Sequence, residues 1–196
     1  FHTWNVKRLR PAELAAIDYT QENYTQLLWF FEGFTSYYDD LLLLRAGLID
    51  APRYLALVAK TMSGVAATPG RQVQSVAEAS FDAWVKYYRQ DENTANATVS
   101  YYAKGALVAL ALDATLRVQD KSKGTLDDVM RHLWQSTQNT QGGPIDEAQI
   151  AQALAAMAGR SMARELRAWV HGTDELPLPA LLASLGVQVQ ATPVGF

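Results

Sequence analysis

Apolar and polar residues follow each other along this chain at helical rather than strand spacing. Residues 21–46, QENYTQLLWFFEGFTSYYDDLLLLRA, are rich in apolar side chains with polar ones at helical intervals, which predicts a long helix. Gly47 is the expected end of that helix, because glycine easily adopts the backbone conformation that follows a last helical turn. Asp50 predicts the next helix start as an N-terminal cap, with Pro52 in the first turn, where its missing N–H does little harm.

The later segments continue the helical pattern, and one of them is apolar on nearly every face. Residues 101–118, YYAKGALVALALDATLRV, have the composition of a helix buried on all sides. We expect loops at 67–72 and 91–98, with a weaker helix between them at 76–90. A capping box at Thr125 and Asp128 predicts another helix start, and further helices are expected from Asp146 to Ala158 and from Ser161 to Val170. The tail should contain a short helix and a strand at 186–191. The pattern therefore predicts a mainly α fold, a helical bundle with an extended exit.

Composition narrows the functions open to this bundle. The 196 residues are 49% hydrophobic and 19% charged, which is ordinary for one globular domain with a real core. A net charge of −3 gives no strongly basic face, so we expect no nucleic-acid partner. The absence of Cys excludes disulfides and thiolate chemistry and leaves the cellular compartment unassigned. The longest aliphatic run, residues 41–44, is far below the roughly 20 residues of a membrane span, so we expect no span.

Glu32 stands in the middle of an aromatic segment, LWFFEGFTSYY at 28–38. A carboxylate among core-forming residues is costly unless it is paired or bound to a metal, which makes Glu32 a candidate functional residue. The alternative is a solvated Glu on the polar stripe of an amphipathic helix, and the pattern alone favours that interpretation. The adjacent Gly33 costs a helix interior roughly 1 kcal/mol relative to Ala, which indicates that something approaches the backbone closely there.

A second candidate lies at the entrance of the apolar helix. Tyr101, Tyr102 and Lys104 occupy its N-terminal end. A Tyr at such a point can donate its phenolic proton to a developing oxyanion. A Tyr that only covers the end of a core helix is the commoner arrangement, and this segment by itself leaves both interpretations open.

The two segments together resemble a known family. LWFFEGFTSY at 28–37 is similar to the third-ligand helix of the gluzincin zinc aminopeptidases, and YAKGA at 102–106 resembles their catalytic-tyrosine segment. In that family another helix carries His-Glu-x-x-His, two zinc-binding His one turn apart with the Glu as general base. Phe1-His2 corresponds to the last two letters of that motif. The following TWNVKRLRP, together with the long stretch ENYTQLLWFFEGFTSYYDDLLLLRAGLI, is typical of the glycyl aminopeptidases in particular.

The resemblance implies a role for several residues. His2 matches the second zinc-binding His, Glu32 the carboxylate ligand and Tyr102 the Tyr that stabilises the oxyanion. Ser36 lies one turn after Glu32 on the same helix face, and this spacing predicts that its hydroxyl orients a zinc-binding His. The implied fold is the helical C-terminal lobe of a thermolysin-like catalytic domain. The implied cofactor is zinc, and the implied reaction removes N-terminal Gly or Ala from a peptide substrate.

The same resemblance implies parts of the site that these residues do not include. The first zinc-binding His, the general-base Glu and a β-rich region forming one wall of the cleft would all precede Phe1. Zinc catalysis needs three protein ligands and one open position for water. We therefore expect this chain by itself to bind zinc weakly if at all and to have no peptidase activity. An exposed apolar face where the upstream region would pack predicts self-association.

The domain division and one alternative function complete the expectations. The helical domain is predicted to span 1–185, and residues 186–196 to lead towards a PDZ domain, because DELPLPALLASLGV resembles the boundary that precedes one in this family. A non-catalytic helical scaffold or interaction module that keeps the peptidase fold is the competing hypothesis. Convergence of His2, Glu32 and Tyr102 on one cleft favours the enzyme, and scattered positions favour the scaffold.

Four other polar residues are not assigned to a site. His132 has no ligand partner at a suitable spacing, which indicates a surface or half-buried His. His171 follows a helix end, where a cation suits the helix dipole. Asp39 and Asp40 have the charge to bind a cation, but a solvated helix face explains them better.

Overall fold

The predicted mainly α fold is confirmed by a computed structural model, which describes residues 1–137 and 143–192. The α-helices are α1 (Leu28–Arg45), α2 (Ala51–Ala66), α3 (Val76–Phe81), α4 (Thr94–Ala97), α5 (Ala103–Val118), α6 (Leu126–Ser136), α7 (Glu147–Ala158), α8 (Ala163–Leu166) and α9 (Leu178–Ser184). Short 3₁₀ helices span Ala12–Leu14 and Pro69–Gln72, and π-helical turns span Ala83–Tyr87 and Arg167–His171. A two-residue parallel pair joins β1 (Arg10–Pro11) to β2 (Pro144–Ile145). No helix in the described ranges is both long and apolar enough to cross a membrane.

The helix ends follow the local signals of the sequence. In each predicted cap an Asp carboxylate accepts a backbone N–H: Asp50 from Arg53 at 2.9 Å, Asp128 from Thr125 at 2.8 Å and Asp146 from Gln149 at 2.8 Å. Gly47 follows α1 with a positive φ of 69°, the left-handed conformation expected of a glycine just beyond a helix. These ends are fixed by interactions within a few residues, which is why they could be predicted.

Several boundaries differ from the prediction: the loop expected at 91–98 contains α4, and the helix expected at 76–90 ends as an α-helix at Phe81. The long first helix begins at Leu28 and not at residue 21, because its start is fixed from elsewhere in the fold: the Ser80 hydroxyl accepts the Trp29 N–H at 2.9 Å. The predicted strand at 186–191 is wrong, because residues 187–192 have no strand partner among the described residues. The domain boundary at 185 and a PDZ domain beyond it stay predictions.

The centre of the bundle is the crossing of α1 and α5. As predicted, α5 is buried along most of its length, with Val108, Ala109 and Leu112 fully enclosed. The two helices meet at Gly33 and Gly105: a Cβ on Gly33 would lie 2.6 Å from the backbone of Gly105. The close approach predicted at Gly33 is therefore confirmed, and it brings the residue before Gly33 next to the first turn of α5.

Gly33→Ala is expected to lower the free energy of unfolding by about 1–3 kcal/mol, because the added methyl collides with backbone that cannot rotate away. Gly64→Ala is the matched control, since Gly64 lies in the last turn of α2 with nothing within 4 Å of its added Cβ. There Ala should stabilise the chain by up to about 1 kcal/mol through helix propensity. Chemical denaturation followed by circular dichroism measures both, and equal effects at the two positions would contradict the tight crossing.

Candidate functional site

His2 and Glu32 meet at the N-terminal half of α1. The Nε2 atom of His2 lies 2.8 Å from Oε2 of Glu32, so the imidazole donates its N–H to the carboxylate. The Glu32 side chain is largely enclosed, with 18% of its surface exposed, whereas the His2 side chain is 52% exposed. One edge of the pair is therefore open to solvent or to a ligand.

Short-range contacts hold the segment that carries His2 against α1. The carbonyl oxygen of Phe1 accepts the N–H groups of Trp4 and Asn5 at 2.9 and 3.0 Å, which closes a single helical turn around His2. The Phe1 ring stacks on Tyr38 of α1, with centroids 4.4 Å apart. Asn5 is fully buried and donates from its Nδ2 to the Phe31 carbonyl oxygen at 2.9 Å. His2 is thus fixed from both sides to the helix that carries Glu32.

Glu32 belongs to a half-buried stripe on α1. Its neighbours Phe31 and Gly33 are buried, whereas Glu32, Ser36 and Asp40, spaced four residues apart, are only partly buried. Residues at this spacing share one helix face. The two interpretations of Glu32 therefore both apply, because it lies on the polar stripe and its carboxylate is also paired with His2.

Tyr102 is brought to the same place by the crossing of the helices. It stands immediately before α5, and its ring lies 4.7 Å from that of Tyr101 and 5.9 Å from that of Tyr87. Burial raises the pKa of the Tyr102 phenol, and the negative charge of Glu32 raises this pKa further. The hydroxyl therefore keeps its proton at neutral pH and can donate it. The N-terminal end of α5 adds a positive dipole that favours negative charge nearby.

Ser36 and Lys104 have partners other than the candidate site. The Ser36 hydroxyl donates to the Glu32 carbonyl oxygen at 2.9 Å, a common contact to the preceding helical turn. This contact joins the Ser36 hydroxyl to the backbone of its own helix and not to His2. The role of Ser36 in orienting a zinc-binding His stays a prediction. The buried Lys104 donates from its Nζ to the Arg71 carbonyl oxygen at 3.2 Å, which fastens a loop to α5.

The donor atoms of His2 and Glu32 suit zinc. Imidazole nitrogen and carboxylate oxygen are two of its usual ligand atoms, each about 2 Å from the ion. Atoms 2.8 Å apart can therefore share one ion after a small movement, with loss of the proton that now joins them. Over residues 1–137 and 143–192, no group of three or more His, Asp or Glu side chains is arranged to hold a metal. The described chain thus brings together two side chains with donor atoms of the kinds that zinc uses.

Sequence reasoning missed some of the polar residues that matter. Nothing in the sequence pattern around Asn5 indicated that its buried side chain would donate to the Phe31 carbonyl oxygen and so join the segment of His2 to the helix of Glu32. Asp39 is exposed as predicted, but Asp40 is half-buried and lines a cavity. His132 is exposed, as predicted. His171 has a carboxylate partner, Glu147, whose Oε1 lies 2.5 Å from its Nε2.

Comparison with known proteins gives two findings. A family model described as M61 glycyl aminopeptidase matches residues 1–108, the part that contains His2, Glu32 and Tyr102. A crystal structure of an aminopeptidase N family protein from Idiomarina loihiensis is similar to this chain, with a TM-score of 0.90 and 43% sequence identity. The similarity covers 97% of this chain and 32% of that one, so the chain spans about a third of its structural relative. No protein in the curated set matches the chain.

Proposed function

This chain belongs to the M61 glycyl aminopeptidase family, and from that premise we propose that it contributes part of the active site of a zinc-dependent aminopeptidase. The proposed substrates are peptides with a small N-terminal residue, Gly or Ala. The observation that carries the proposal is the convergence of His2 and Glu32 at 2.8 Å, with Tyr102 close enough for the charge of Glu32 to raise its pKa. Convergence at one place is what distinguishes the enzyme from the scaffold hypothesis.

In this proposal each residue of the chain has a separate task. His2 and Glu32 would hold the metal, which would supply Lewis-acid polarisation of a water molecule. Tyr102 donates its hydroxyl proton as a hydrogen bond to the oxygen that becomes negative when the peptide carbonyl is attacked. The contacts of Phe1 and Asn5 with α1 hold His2 beside Glu32, so little conformational entropy is lost when both side chains bind the metal. The first zinc-binding His and the general base are assigned by resemblance to residues outside these 196.

The test compares the complete gene product that contains this chain with the 196-residue chain itself. We expect the complete product to hydrolyse peptides beginning with Gly or Ala, and a chelator to remove that activity. We expect the 196-residue chain to hydrolyse none of them with added zinc, because two ligands do not hold a catalytic metal firmly. Release of the N-terminal amino acid, followed by chromatography, measures both.

Two outcomes would contradict this proposal. Zinc-dependent hydrolysis by the 196-residue chain would show that two ligands suffice. A complete product that has no His-Glu pair before Phe1 and cleaves no peptide would support the non-catalytic scaffold.

A further inference from the structure

A cavity of about 220 Å³ lies between α1, α2 and α5, directly beside the candidate site. Side chains from three helices line it. They include Ser36 and Asp40 of α1, Tyr54 and Val58 of α2, Leu107 of α5 and Tyr102 just before α5. Ser36 and Tyr102 belong to both the cavity and the surroundings of Glu32. A peptide held at the candidate site therefore has this cavity next to it.

The cavity is large enough for one long side chain and too small for a drug-sized ligand. Its walls are mostly apolar, with Val58 and Leu107 among them. Burial raises the pKa of Tyr54 to about 12, with the charges of Asp113 and Asp40 adding to the effect, so its hydroxyl is neutral at pH 7. Asp40 is then the one lining residue that carries a charge at neutral pH.

The charge of Asp40 is not neutralised by an ion pair, although Lys60 of α2 lines an adjoining cavity with it. The nearby Arg45 and Arg117 are committed to other carboxylates, Asp127 and Asp113, each at 2.9 Å. Within the described parts of the chain, no Lys, Arg or His nitrogen forms an ion pair with Asp40. A half-buried carboxylate with no cationic partner favours a cation supplied by a ligand.

We propose that this cavity binds the side chain of the second residue of the peptide substrate and selects Lys or Arg there. The inference rests on the proposed function, since an N-terminal Gly or Ala has at most a methyl group and cannot fill a cavity of about 220 Å³. The next residue along the peptide is the one that remains close enough. Its methylene chain packs against Val58 and Leu107, and its cationic end reaches Asp40.

The test uses the zinc-loaded complete gene product and two peptides, Gly-Lys-Gly and Gly-norleucine-Gly. Norleucine keeps the apolar chain and lacks the ammonium group. We expect kcat/KM to favour Lys by about tenfold, the effect of one hydrogen bond to a charged group. Asp40→Asn should reduce this ratio to within about twofold. Asp39→Asn, the same charge change on the exposed neighbour, should leave the ratio as it is.

A second variant tests whether the volume of the cavity, rather than the charge of Asp40, is needed for binding the second residue. Val58→Phe fills the cavity, so it should lower kcat/KM for both peptides relative to Gly-Gly-Gly, whose second residue needs no cavity. Equal rates for Lys and norleucine in the parent protein would overturn the inference. A Lys preference that survives Asp40→Asn, or that Asp39→Asn also removes, would overturn it too.

Failure of the proposed function can be told apart from failure of this inference. If the complete product cleaves none of the three peptides, the proposed function fails. Binding then decides about the cavity: calorimetric titration of the zinc-loaded complete gene product with Gly-Lys amide and Gly-norleucine amide measures their affinities without any catalysis. Tighter binding of the Lys peptide, lost in Asp40→Asn, supports the cavity assignment, and equal or absent binding overturns it.

Discussion

Glu32→Gln in the complete gene product is expected to lower kcat/KM for Gly and Ala peptides by roughly a thousandfold, or about 4 kcal/mol of transition-state stabilisation. The amide keeps the size of the side chain but removes the negative charge that would bind zinc. Glu32 is mostly enclosed, and its Oε2 lies 2.8 Å from Nε2 of His2, so it is the carboxylate within reach of that imidazole. Steady-state kinetics and the zinc content of the dialysed protein measure the two effects.

Glu147→Gln is the matched control for this change. Glu147 also pairs with a His, His171, and its side chain is 32% exposed, but this pair lines a different surface pocket, beside α7 and α8. The same chemical change there should leave zinc content and kcat/KM within about twofold. Full zinc content and activity in Glu32→Gln would show that the contact between His2 and Glu32 is a structural hydrogen bond, and the metal ligands would have to lie elsewhere.

Much of the fold follows from local pattern. Asp50, Asp146 and Gly47 end or begin helices through contacts within a few residues, and these could be predicted from spacing. The start of α1 could not, because Ser80, more than fifty positions away, accepts the N–H of Trp29. A boundary set by a distant side chain leaves no trace in the local sequence.

The candidate site, like the fold, could be predicted only in part from the sequence. The hydrophobic pattern alone did not decide whether Glu32 is a solvated residue of a polar stripe or a functional carboxylate. The resemblance to a family assigned a role to Glu32, together with His2 and Tyr102. Gly33 was the exception, because a glycine inside a helix has a cost that only close packing explains. Asp40 was missed because it and Asp39 look alike in sequence, and only the packing of α2 and α5 makes one of them line a cavity.

Tyr102→Phe is expected to lower kcat by about a hundredfold to a thousandfold and to change KM by less than about threefold. The substitution keeps the ring and its contacts with Tyr101 and Tyr87, and it removes only the hydroxyl. A donor to the developing oxyanion acts in the transition state more than in the bound substrate, so kcat should carry the loss. Steady-state kinetics with a Gly or Ala peptide separate the two constants.

The electrostatics of Tyr102 add a second expectation. Burial and the charge of Glu32 both raise the pKa of its phenol above the usual value, so without a metal the hydroxyl stays protonated through the neutral and mildly alkaline range. A cation on Glu32 offsets part of that negative charge, so zinc binding should bring this pKa down and make the hydroxyl a stronger donor. Tyr87→Phe is the control, because its ring packs 5.9 Å from that of Tyr102 in the same cluster, and kcat should change less than about threefold. Equal losses in the two variants would mean that the tyrosine cluster acts by supporting α5, and the oxyanion donor would have to be another group.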